Sequence, residues 1–181
     1  MLNRSTWVVA LVAALVIICS PPLAVAGDKL SKEDKDFIKD ATRNLQTSTQ
    51  AARIARDQAT DSDVKKFADQ LISGDDKMID ELRGLAEKDN FKFTETPSKP
   101  DEKRLSDLKG MKGADFDKHY VSAALHDQEE LLKIFKDGGE KAKNDDLQQW
   151  FKKKDDAIRS YATTARELNR RLNGDKDHDK K

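Results

Sequence analysis

The chain has almost no cysteine, and the one it has, Cys19, lies in an apolar N-terminal segment. If that segment is removed, the mature protein has no thiol, which excludes disulfides, Cys-type metal sites and thiol chemistry. Proline is absent between Leu30 and Asn90, so nothing there breaks a helix. The strict alternation that marks strands is missing too. Net charge is missing as well, with 34 Lys+Arg against 34 Asp+Glu, so no global field attracts nucleic acid or anionic lipid. Lys152-Lys153-Lys154 and Lys180-Lys181 are local exceptions, each offset by neighbouring aspartates. No Gly-rich phosphate loop, nucleophile elbow, catalytic triad or Glu-x-x-His step is present, and this points away from an enzyme.

The N-terminus, by contrast, has the three parts of a secretory signal. Arg4 supplies a positive start, Trp7 to Cys19 an apolar run, and Ala24-Val25-Ala26 a small-residue cleavage site. The expectation is a signal peptide over residues 1–26, a product beginning at Gly27, and a periplasmic or secreted location. A membrane anchor is the alternative, but the run is about 13 residues against the roughly 20 a spanning helix needs. A lipoprotein signal ending at Cys19 is disfavoured by the bulky Ile17-Ile18 before it. No stable membrane anchor is expected after cleavage.

Residues 27–173 are expected to form one all-α domain, because a chain that is 38% charged offers only the narrow apolar stripes of amphipathic helices. A first helix starts at Ser31 with Asp34 completing a capping box, and its stripe is Phe37, Ala41, Leu45, Ala52, Ala55 and Ala59. A second begins near Asp61 to Asp63 and carries Val64, Phe67, Ala68, Leu71, Met78, Leu82 and Leu85. Residues 90–113 read as a long crossover in which Asp101 to Leu108 form one or two helical turns. A third helix runs from Ala114 through Phe116, Tyr120, Ala124, Leu131 and Phe135, with Gly138-Gly139 weakening its last turns. A fourth is capped by Asn144 to Asp146, carries Leu147, Trp150, Phe151, Ala157, Ile158, Ala165, Leu168 and Leu172, and ends at Asn173-Gly174. Residues 174–181 form a charged, disordered tail. Two antiparallel hairpins joined by a crossover make a four-helix bundle.

Continued through their gaps, the stripes place four polar residues on buried faces: Ser48, Asp75, Gln128 and Tyr161. At a rise of about 1.5 Å per residue they share matching levels, and such layers are where bundles build metal and cofactor sites. Only Asp75 is a strong ligand for a hard cation. The competing reading is a hydrogen-bonded core layer in which the Tyr161 hydroxyl or the Gln128 amide donates to Asp75. His119 and His126, seven apart, read as an exposed pair. His178 lies among Asp175, Asp177 and Asp179, which open like a calcium loop but lack its glycine and terminal glutamate.

Several segments taken together resemble a known family. They are Val64-Lys65-Lys66-Phe67-Ala68 leading to Leu71-Ile72, Leu82 to Ala86, Gly113 to Asp117 with Tyr120-Val121, and Ala165 to Leu168. They are similar to the exported bacterial family called domain of unknown function 4142. The resemblance covers roughly Asp34 to Leu172 and implies a ferritin-like four-helix fold. It also implies a glutamate in the first helix and a histidine in each of the others, at positions where this chain has Ser48, Asp75, Gln128 and Tyr161. The reading that follows is a non-enzymatic envelope bundle without a cofactor, acting on an unidentified envelope partner. One alternative is a residual metal or redox protein using Asp75 with His126 or Glu129. Another is a helical holdase exposing Phe91, Phe93 and Met111.

Overall fold

A computed structural model describes residues 29–94 and 96–174. The segment expected to be a signal, its expected cleavage site and the acidic tail with His178 lie outside them. Among the described residues the fold is all-helical: α1 (Lys32–Gln58), α2 (Ser62–Glu87), α3 (Lys99–Gly110), α4 (Gly113–Lys141) and α5 (Asp145–Asn173). Helices α1 and α2 form one hairpin and α4 and α5 another. The hairpins pack through α1 on α4 and α2 on α5, while α3 lies across α1 and α4.

The helix ends follow from local chemistry. The Asp34 amide donates to Ser31 Oγ at 3.1 Å and the Ser31 amide to Asp34 Oδ2 at 2.9 Å, a complete capping box. Asp61 caps α2 by accepting the Asp63 and Val64 amides, and Asn144 caps α5 by accepting the Leu147 amide. Gly174 follows α5 at φ 72°, a left-handed conformation in which a β-carbon would be strained.

The structure corrects the sequence reading in several places; Leu85, Ala157 and Leu172, for example, are only partly buried, and Ala86 and Ala162 are buried. In α1 the core position is Ile38 rather than Phe37, because Ile38, Ala41, Leu45, Ser48, Ala52, Ala55 and Ala59 keep an unbroken three-four spacing and all are buried. Phe37 flanks that stripe, edge-on to Phe151 at 6.0 Å between centroids. The crossover contains a full 12-residue helix rather than one or two turns. Ser98 and Asp101 form its capping box, and Leu105 and Leu108 are buried against α1 and α4. Its two apolar residues were too few to register as a stripe. Helix α4 runs through Gly138 and Gly139 to Lys141. A β-carbon on Gly138 would collide with the Phe151 ring, so the glycine lets α4 and α5 approach closely.

Two aspartates lock the hairpins together. Asp34 of α1 also accepts the Lys143 amide at 2.7 Å and the Asn144 amide at 3.2 Å, holding the α4–α5 connection. Burial pushes its pKa up, but these amides and the contacts from Ser31 outweigh burial and leave it lowered. Asp117 of α4 mirrors it on the α1–α2 connection, accepting the Thr60 amide at 3.0 Å, the Asp61 amide at 2.9 Å and the Thr60 hydroxyl.

Candidate functional site

The apolar core divides into two clusters. One is built around Phe67, Leu71, Phe116 and Tyr120, the other around Leu45, Leu82, Phe135 and Phe151. The polar layer lies between them in every helix of the two hairpins, and Tyr161 packs against both clusters. Its members sit where heptad spacing sends a side chain inward: Ser48 and Gln128 on facing α1 and α4, Asp75 on α2, Tyr161 on α5.

Asp75 and Gln128 are fully buried and Ser48 nearly so, whereas Tyr161 is only half-buried. Gln128 Nε2 donates to Ser48 Oγ at 3.4 Å, a long bond joining the two hairpins through the core. The expected donation from Tyr161 or Gln128 to Asp75 is not made. Neither Asp75 oxygen has a hydrogen-bond partner among the described residues. Burial therefore dominates and raises the Asp75 pKa to about 8, with the charges of Asp76 and Asp127 adding to it. The nearby Ser48 hydroxyl favours the charged form but does not close a bond of normal geometry. Burial thus favours the protonated, neutral form of Asp75.

Two members of this neighbourhood escaped sequence reasoning. Tyr120, counted there as an apolar residue, has a buried hydroxyl with no partner among the described residues. Burial and the nearby Asp75 and Asp127 raise its pKa. Asp127 is buried beside Gln128 and pairs with Arg104 of α3 at 2.6 Å. Burial raises its pKa against the pull of Arg104. A buried acid flanked by His126 and Gln128 gives no signal in a stripe count. Only the position of α3 reveals its partner.

Tyr161 lies directly on Gly74 of α2, so closely that a β-carbon there would collide with its hydroxyl. The glycine inside the α2 pattern is thus a close-approach site. The ring forms the outer wall of the layer on the α2–α5 side, and burial followed by the nearby Asp75 carboxyl raises its pKa.

The proposed metal ligands are not brought together. Asp75 points into the core, His126 is exposed, and Glu129 lies on an outer groove paired with Arg166 at 3.1 Å. That groove, of about 630 Å³ along α4 and α5, also takes in His119, Ser122 and Arg170. No group of three His, Cys, Asp or Glu side chains able to hold a metal occurs among the described residues. The layer itself offers one carboxyl, one hydroxyl, one amide and a phenol at its edge, a donor set with too little charge for a divalent cation. What the layer can do chemically is hold or release one proton in a low-dielectric setting.

Comparison with known proteins gives one match. A family model described as Domain of unknown function (DUF4142) covers residues 20–168. No curated protein and no solved structure matches the chain.

Proposed function

The chain belongs to the family of domain of unknown function 4142, and from that premise we propose that it is an exported, non-enzymatic, ferritin-like four-helix bundle. It acts in the cell envelope by binding a partner or in a structural or stress-related role. The family's core ligand positions have been given over to a neutral polar layer. The observation that carries this reading is Asp75, a fully buried carboxyl without a partner and with its pKa raised to about 8. A layer built around a neutral acid, an amide and a hydroxyl supports helix register rather than metal chemistry.

The competing metal or redox reading needs His126 or Glu129 beside Asp75, and both face elsewhere. The holdase reading has little support, because Phe91 and Phe93 pack on the second core cluster and Met111 on the first. Lys35 and Lys39 further cover the Phe91 ring, at 5.6 and 5.7 Å from its centre.

The test is made on protein recovered from its native compartment. Elemental analysis is expected to find no stoichiometric iron, manganese or zinc, and intact mass to give a chain beginning at Gly27. Stoichiometric metal that disappears in Asp75→Asn would overturn the reading of the layer. A chain retaining residues 7–19 would overturn export by cleavage.

A further inference from the structure

Asp75 is enclosed differently on its four sides. Within each hairpin the helices are tightly interlocked, and the open side between α1 and α4 is covered by α3 through Leu105, Leu108 and the Arg104–Asp127 ion pair. The remaining side is the looser seam between α2 and α5. Polar ties hold this seam towards its ends. At one end Arg171 makes two bonds to Asp61, at 2.7 and 2.9 Å. Towards the other, Glu81 accepts Trp150 Nε1 at 2.7 Å and pairs with Lys154 at 2.7 Å, and Lys88 meets Asp146 at 2.9 Å. Midway, the closure is the half-buried Tyr161 ring resting on Gly74, next to Asp75 in sequence.

We propose that Tyr161 is a gate over Asp75: with the carboxyl protonated the ring seals the centre of the α2–α5 seam, and loss of the proton parts the seam there and admits water to the carboxylate. The geometry requires this direction. A carboxylate with neither oxygen bonded cannot stay charged inside an apolar core, so ionisation must bring solvent in or not occur. Of the groups that act on it from the packed elements, the Ser48 hydroxyl alone favours the charge, and burial outweighs it. Ser48 on α1 contributes a hydroxyl, Tyr120 on α4 and Tyr161 on α5 contribute neutral phenols, and Asp76 on its own helix and Asp127 on α4 repel its charge. Arg104 on α3 is engaged by Asp127. The raised pKa of Asp75, about 8, is the electrostatic counterpart of this enclosure. The ends of the seam stay tied, which makes the opening local rather than a dissociation of the hairpins.

The inference uses the layer's geometry and goes beyond the proposed function. Hydrogen exchange on the full folded chain between pH 5 and 9, with Asp75→Asn as reference at each pH, tests it. An acid that is masked when shut and ordinary when open makes the opening constant rise about tenfold per pH unit until the masked value is reached, then level off. Relative to Asp75→Asn, wild-type amides around Leu71 to Met78 and Ala157 to Ala165 are therefore expected to lose about 100-fold in protection from pH 5 to 7, with little further loss above pH 8. Those near Asp61 and Arg171 should follow the reference. Carbon-13 titration of the Asp75 carboxyl supplies a second readout: Tyr161→Ala should return it towards the ordinary carboxylate range, while Tyr161→Phe, which keeps the ring, should not. Equal pH dependence in wild type and Asp75→Asn would overturn the gate, as would loss of protection spread over all four long helices. An unchanged Asp75 titration in folded Tyr161→Ala would do the same. The proposed function is tested by metal content and intact mass, and none of these outcomes reads either quantity.

Discussion

At the scale of single residues, the governing fact is that Asp75 carries its burial without a partner. Its folded pKa lies above the unfolded value of 3.8, at about 8, so it costs nothing where both states are protonated and destabilises increasingly as pH rises between the two values. Asp75→Asn keeps the shape and removes the ionisation. It should match wild type near pH 3.5 and be more stable by pH 8, by an amount on the order of several kcal/mol at about 1.4 kcal/mol per pKa unit. Urea denaturation at the two pH values measures this, and an unchanged difference would mean that Asp75 is solvated in the native protein. Tyr161→Phe, by contrast, removes a hydroxyl with no bond to Asp75 and should change stability by less than about 0.5 kcal/mol. The position of Asp75 on a buried face was legible from heptad spacing alone. Its lack of a donor was not, because periodicity shows which way a side chain points and not how far a neighbour's hydroxyl reaches.

At the scale of elements, the fold is specified by the helix ends as much as by the stripes. The Ser31, Asp61 and Asn144 caps could be read directly, since each is a short side chain placed just before an apolar repeat. The latches could not. Asp34 reads as half of a capping box and Asp117 only as part of the Gly113 to Asp117 segment that carries the family resemblance, yet each holds the connection of the opposite hairpin. Such long-range bonds have no local signature. Asp117→Ala orphans two backbone amides and the Thr60 hydroxyl and should cost about 1–3 kcal/mol, read by thermal or urea denaturation. Thr60→Val removes only the hydroxyl and should cost less. Equal losses in the two variants would show that the amide bonds are replaced by water at no cost. Helix α3 was underestimated for a related reason: its place depends on Leu105, Leu108 and one ion pair, too little apolar pattern to stand out in a charged segment.

For the whole molecule, these aspartates pull stability in opposite directions. Asp34, Asp61 and Glu81 have lowered pKa values. For Asp61 the Arg171 bonds are the main cause, whereas burial is overcome by hydrogen bonds at Asp34 and by hydrogen bonds and nearby lysines at Glu81. Groups of this kind stabilise above the ordinary carboxyl range, and that stability is lost as pH falls through their folded values. Asp75 does the reverse, so the protein should be most stable at mildly acidic pH, with an acid limb set by the inter-helix ties and a fall towards pH 8 set by one buried acid. The two limbs separate by mutation. Arg171→Met removes the bonds to Asp61 and should shrink the acid limb alone, because the seam end then no longer holds a charged aspartate below its ordinary value. Asp75→Asn should flatten the upper fall alone. Melting temperatures recorded from pH 3 to 9 for the wild type, each variant and the pair decide it, since sites at the end and the middle of the seam should add. If Arg171→Met also abolished the fall towards pH 8, the end tie and the central acid would belong to one cooperative opening of α2 from α5, and the local gate would have to be abandoned.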